Sequence, residues 1–351
     1  PRALIATGIA LRFTDLGFPD FATDEAQAAL GATAAWTPAG MLVLQFAQAL
    51  FGQTITVARM TSVAFGLALL PVIYALAKLY GDRRFALMAT AIAAIFPSHI
   101  LFSRLAYLSS QLTFAWALTL LAFLRVRNCF DTAPPCHAER SPELVEERSR
   151  STWRRLRSMT CLLRARNSNY WLVVLFAASV YASLIKTQGG ILPLCLAIGA
   201  LIENRRTFHS QFSIIWTLLL SLLPAAFYIL THPGIAATVL LYGGNMYGVS
   251  GFLGRMGALL QTWWQTLTLF LIAAAASLPF LRKCGWPVSG FLVVAAAMGF
   301  LLGPSHTYYT TELVLFALPI GLALMAWQPA LRNAAVCILL TTTLVLLGPR
   351  S

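Results

Sequence analysis

Acids are scarce in this chain, 12 Asp and Glu among 351 residues, yet RFTDLGFPDFATDEAQ at 12–27 gathers Asp15, Asp20, Asp24 and Glu25. A solvated loop accounts for Asp15 and Asp20. Asp24 and Glu25 differ, because AQAALGATAAW (26–36) and PAGMLVLQFAQALF (38–51), two runs of helical propensity, follow them, and an apolar segment precedes their loop. Acids in the first turn of a helix are favoured by its dipole, which alone would explain the pair. Apolar surroundings also suit a carboxylate to taking a proton from a hydroxyl, as a general base does. The pattern leaves both readings open.

Cations at the ends of apolar segments supply the complementary charge. Arg104 follows Pro97 and His99, Lys186 lies at the tip of a hairpin spanning 170–202, and Arg59 and Arg255 occupy similar end positions. Ionisable groups at such depth are candidate anion holders. Snorkelling of long basic side chains to the interface is the plainer alternative. GPSHTYYTTE adds His306, Tyr308, Tyr309 and Glu312, read either as cavity lining or as part of an aromatic belt. His99 and His306 could join Asp24 around a metal, but no close ligand spacing supports it. No cofactor is certain, and a divalent metal stays open.

The elements that must position these residues are read from composition. The chain is 58% hydrophobic and 11% charged, with mean hydropathy +0.73. Soluble domains carry about a quarter charged residues, so lipid must solvate most of this one. About eleven apolar segments are expected by window hydropathy. They lie near 1–11, 59–80, 85–102, 106–124, 170–186, 188–202, 212–230, 260–281, 287–303, 311–327 and 331–348. The first is too short to span about 30 Å of hydrocarbon and reads as a span whose beginning is missing. The run 38–51 is also short, as for an interfacial or re-entrant helix.

Net charge +13 does not imply nucleic acid. Of the 25 Lys and Arg, all but Arg12, Arg59, Arg104, Lys186, Arg255 and Arg350 fall in alternate loops, above all 125–169. That asymmetry encodes orientation and puts 12–37 outside. The expected location is a bacterial inner membrane, with the acid loop facing the periplasm. The six cysteines form no CxxC pair and are expected to be reduced.

Arg12, Phe13, Leu16, Gly17, Pro19, Asp24 and Glu25, spaced as R-F-x-x-L-G-x-P and then D-E, resemble the first external loop of the protein O-mannosyltransferase family (dolichyl-phosphate-mannose-protein mannosyltransferases). These are C-type (GT-C) glycosyltransferases, membrane enzymes that use polyprenyl-phosphate sugars. TPAGMLVLQFAQALFG and the stretch from Val57 to Tyr107, with Arg59, Ser62, Gly66, Tyr74, Gly81, Pro97, Ser103 and Arg104, are similar to the segments that follow in that family. SLIKTQGGILPL resembles its short hairpin and HTYYTTELVLFALPIGLAL a late span. The likeness is good over 10–125 and diffuse beyond.

The resemblance implies that Asp24 is the catalytic acid-loop residue with Glu25 as companion, in an inverting single displacement. It needs cations on the departing phosphate, a role open to Arg104, Lys186, Arg59 and Arg255. Ser109 and Ser110 stand where the family often has an acid or amide, and the Gly-rich external loop 231–258 has no acid.

The expected architecture is an all-α polytopic membrane protein, a GT-C-like bundle of about 11 transmembrane helices with an external catalytic loop and interfacial helices after the first span. It divides into a catalytic module (1–125), a cytoplasmic basic insert expected to be disordered (126–169) and the remaining bundle (170–351). Part of the insert, CHAERSPELVEERSRS, resembles the translated product of a repetitive bacterial DNA element. Expected partners are a polyprenyl-phosphate sugar, an acceptor hydroxyl on protein, lipid or glycan, and membrane lipid, but no nucleic acid. The rivals are a transporter or flippase of lipid-linked sugars and an inactive relative of the enzyme.

Overall fold

A computed structural model describes residues 1–14, 16, 38–131, 168–185, 187–203, 208–232, 290, 292, 314–315 and 317–326. Among them every element is helical: α1 (Arg2–Arg12), α2 (Pro38–Phe51), α3 (Ile55–Lys78), α4 (Arg83–Ala94), α5 (Pro97–Ser103) and α6 (Ser109–Asp131). Then come α7 (Ser168–Ile185), a 3-10 turn (Thr187–Gly190), α8 (Ile191–Glu203), α9 (Phe208–Leu220), α10 (Leu223–Thr231) and α11 (Ala317–Ala326). Among the described residues four helical segments are long and apolar enough to cross a membrane: Ile55–Lys78, Ser109–Cys129, Ser168–Ile185 and Phe212–Thr231, the last running through α9 and α10. The protein is an integral membrane protein. Residues 17–37, 132–167, 204–207, 233–289, 293–313 and 327–351 lie outside the described residues.

Local chemistry sets the helix ends. Gly52 ends α2 with φ +95°, a left-handed conformation natural to glycine, and its N–H returns to the Gln48 carbonyl. Thr54 then caps α3, its Oγ1 accepting from the Val57 N–H at 3.2 Å. Asp82 caps α4 in the same way at Phe85, at 2.8 Å.

α3 is the central helix, packing on α6, α4, α2, α5 and α11. Membrane helices associate through close backbone approach, and α4 is made for it. Ala86, Ala89, Ala93 and Ala94 are buried along its length. Gly8 of α1 lies against Ala94 and Gly321 of α11 against Ala89.

α2 is the short helix expected at 38–51. At about 1.5 Å per residue its 14 residues reach only about 21 Å. Met41, Leu44 and Gln48 face inward, while Leu42, Phe46 and Leu50 form an outer stripe more than half exposed. An exposed apolar stripe of this kind is what an interfacial helix turns to lipid.

Two segments differ from their sequence reading. The apolar run 85–102 is not one straight helix, because Pro97 breaks it into α4 and α5, bent by 57°. Helix α6 continues through Asp131, so the first residues of the expected insert are helical.

Candidate active site at the end of the first helix

Pro97 creates the site's first requirement. It has no N–H, so the Ala93 carbonyl loses its i+4 partner and keeps a long 3.5 Å bond from the Phe96 N–H, and Phe96 is itself extended (φ -67°, ψ 119°). The carbonyls at the end of α4 therefore need donors from elsewhere. Arg12, the last residue of α1, supplies them. Its Nη1 donates to Ala94 O at 2.7 Å and to Gly8 O in its own helix, and its Nη2 reaches toward Ala93 O at 3.5 Å. A cation at a helix C-terminus also meets the negative end of the dipole. Gly8 makes the approach possible, for a side chain there would collide with the Ala94 carbonyl.

The same guanidinium sets the state of His99. Nη2 lies 2.8 Å from His99 Nδ1. Arginine only donates, so Nδ1 accepts and the ring proton sits on Nε2. Both residues are fully buried, and neither His99 Nε2 nor Arg12 Nε has a partner among the described residues. Gly66 of α3 closes the junction, its α-carbon facing Ser103 and Arg12 Nε.

Just beyond Arg12 the chain enters the acid loop, and two more arginines hold its root. Arg104, directly after α5, donates from Nε to Thr14 O at 3.0 Å. Arg59, on α3 and 2% exposed, donates from Nη1 to Leu16 O at 3.1 Å. Leu16 is itself buried. Ser62 of α3 bonds Tyr107 O at 3.0 Å, which joins the start of α6 to the same end of the bundle.

A second polar layer follows. Tyr181 of α7 donates to Gln111 Oε1 at 2.8 Å, and Phe65 packs between Phe114 and Tyr181. Trp116 Nε1 donates to Gly189 O at 3.0 Å, seating the 3-10 turn against α6. Gly189 is demanded there, because a Cβ would collide with the Ala182 carbonyl. Ser109 and Ser110 are both fully buried; the Ser110 hydroxyl has no partner among the described residues.

Of the residues singled out from sequence, Arg59, His99 and Arg104 are thus brought to one end of the bundle. Asp24, Glu25, Lys186, Arg255, His306, Tyr308, Tyr309 and Glu312 lie outside the described residues. Sequence reading missed Arg12 as the partner of His99. The available signal was a proline with unmet carbonyls before it and one arginine closing the preceding apolar segment. Among the described residues no three His, Cys, Asp or Glu come together as metal ligands.

Residues 35–129, from before α2 to near the end of α6, match the family of dolichyl-phosphate-mannose-protein mannosyltransferases. ArnT from Cupriavidus metallidurans, solved with undecaprenyl phosphate, superposes with TM-score 0.62 at 16% identity, covering 98% of this chain and 64% of that one. This is the fold of the GT-C membrane glycosyltransferases. The oligosaccharyltransferase AglB from Archaeoglobus fulgidus, solved with an inhibitory peptide and a dolichol-phosphate, shares the GT-C fold at TM-score 0.59 and 13% identity, over 99% of this chain and 55% of that one. The chain spans less than two thirds of the length of either structure. No sequence among curated proteins matches it significantly. In this chain the break at Pro97, Arg59 and Arg104 stand where the segment after the first helix begins.

Proposed function

We propose that the chain is a membrane glycosyltransferase that moves a sugar from a polyprenyl-phosphate donor to a hydroxyl of an external acceptor, with inversion. The observation that carries this reading is the joining of a GT-C fold to a root for the acid loop built by Arg59 and Arg104. The described residues that match the mannosyltransferase family fall in the same part of the chain. We assign the general base and the root of its loop to the module 1–125.

In this reaction the acceptor oxygen attacks the anomeric carbon and the bond from that carbon to the phosphate oxygen breaks. The electron pair leaves with polyprenyl phosphate, and the acceptor's proton passes to Asp24 as general base. Glu25 supports Asp24. Charge grows on the departing phosphate, so cations placed beforehand lower the barrier. Arg104, Lys186 and Arg255 take that role. His99, His306, Tyr308, Tyr309 and Glu312 line the cavity, and a divalent cation bound with Asp24 is compatible with the scheme. The loop faces the non-cytoplasmic side of a bacterial inner membrane, as the distribution of Lys and Arg supports.

The test is release of polyprenyl phosphate coupled one-to-one to glycosylated product, with the anomeric configuration read by NMR. Release without product, or retention of configuration, contradicts the scheme.

One observation favours a second reading. Transporters place binding sites at broken helices, and α4–α5 is broken. Here, however, the break is filled by Arg12 and closed by Gly8 and Gly66. Translocation of a labelled lipid-linked sugar across liposomes without any acceptor would favour the transporter.

A further inference from the structure

Arg59 was expected, with the other outer cations, to hold the donor phosphate. Its surroundings point elsewhere. It is 2% exposed, lies in the second turn of α3, and directs Nη1 at a backbone carbonyl, Leu16 O, at 3.1 Å. From the other side, Arg104 directs Nε at Thr14 O at 3.0 Å. Two guanidinium groups on different elements thus grip carbonyls two positions apart in the chain. Thr14 Oγ1 also folds back on Leu11 O at 2.9 Å, and the Phe13 N–H bonds Ala10 O at 3.0 Å. The chain leaving α1 is thereby fixed before it reaches Asp20, Asp24 and Glu25.

We propose that Arg59, together with Arg104 Nε, is a positioning clamp on the root of the acid loop, so that Arg59 acts on the reaction through loop placement and not by holding phosphate. This deepens the transfer reading above and rests on it for its kinetic consequences. A backbone carbonyl asks for a donor, not a net charge, whereas a phosphate asks for charge as well. The two roles therefore separate by chemistry. Reactive geometry is sensitive to misplacement of about 1 Å, so loosening the root should act on turnover more than on donor affinity.

The test compares Arg59→Gln, which keeps an N–H donor without charge, Arg59→Lys, which keeps charge without the planar fork, and Arg59→Leu, which keeps neither. Each is purified in lipid nanodiscs, and two quantities are read: hydrogen exchange of peptides covering 12–37, and kcat and KM for a polyprenyl-phosphate sugar. The clamp predicts exchange in the loop about 10- to 100-fold faster in Arg59→Leu, the scale of one charge-assisted hydrogen bond. It predicts intermediate exchange in Arg59→Gln. It also predicts kcat falling in the same order, with donor KM within about twofold of wild type. Full activity in Arg59→Lys with a donor KM raised tenfold or more in Arg59→Gln would overturn it, as would unchanged exchange in Arg59→Leu. If Arg59→Leu does not fold, the ordering of Gln and Lys decides. If wild type shows no transfer with any donor, the exchange readout still decides the clamp while the transfer reading fails.

Discussion

Arg12→Met is the sharpest perturbation of the junction, since methionine fills similar volume and donates nothing. Arg12 reaches Ala94 O at 2.7 Å and His99 Nδ1 at 2.8 Å, with a longer contact of 3.5 Å to Ala93 O. Each hydrogen bond from a charged donor contributes about 1.5–3 kcal/mol, and each buried acceptor left unmet costs about 1–3 kcal/mol. Removing the guanidinium also relieves the cost of burying a charge, which offsets part of the loss. Unmet acceptors dominate, because Ala94 O and His99 Nδ1 lose their close donor while Ala93 O keeps only the 3.5 Å bond from the Phe96 N–H. The expected net destabilisation is about 2–4 kcal/mol. It should fall by about 1–2 kcal/mol in a His99→Leu background, where no Nδ1 remains to be orphaned. Pro97→Ala, which restores an N–H for Ala93 O, should also reduce it. The assay is unfolding in mixed micelles by SDS titration, followed by tryptophan fluorescence, on the single and double variants. A loss of less than about 0.5 kcal/mol, or strict additivity with His99→Leu, would refute the capping argument.

Other outcomes follow from the same geometry. Gly8→Ala should lower stability by about 1–3 kcal/mol, because its methyl group meets the Ala94 carbonyl and α1 must shift; an unchanged melting temperature would contradict the close approach. Trp116→Phe deletes the donor to Gly189 O and should cost about 1–2 kcal/mol in the same micelle titration, with a value within error of zero counting against the seated turn. A protease site placed in 132–167 should be cut in inverted but not in right-side-out vesicles; the opposite pattern would reverse the orientation.

The helical, polytopic class was legible because hydropathy and charge asymmetry are summed over many residues. The short helix at 38–51 was legible from its length, and the caps at Thr54 and Asp82 are of the residue types that begin helices. The break within 85–102 was not read, since a hydropathy window averages across Pro97 and sees one apolar run. Arg12 and His99 stand 87 positions apart, and nothing local announces that one will meet the other. Their pairing follows from a tertiary fact, the crossing of α1 over the end of α4, which Gly8 and Ala94 permit. Arg59 and Arg104 were legible as cations at the ends of apolar segments, but cation type and position alone do not say whether a guanidinium meets a phosphate or a backbone carbonyl. Asp24 and Glu25 stood out through their neighbours in sequence, and their role rests on chemistry and family likeness.

The central claim is sugar transfer with Asp24 as base. It is tested most directly by offering a panel of radiolabelled polyprenyl-phosphate sugars to the protein in lipid, beside Asp24→Asn and with and without chelator. The account predicts transfer from at least one donor, lost by a factor of at least about 100 in Asp24→Asn with membrane insertion and donor binding unchanged. Equal turnover in both proteins, or donor binding without transfer in either, would contradict it.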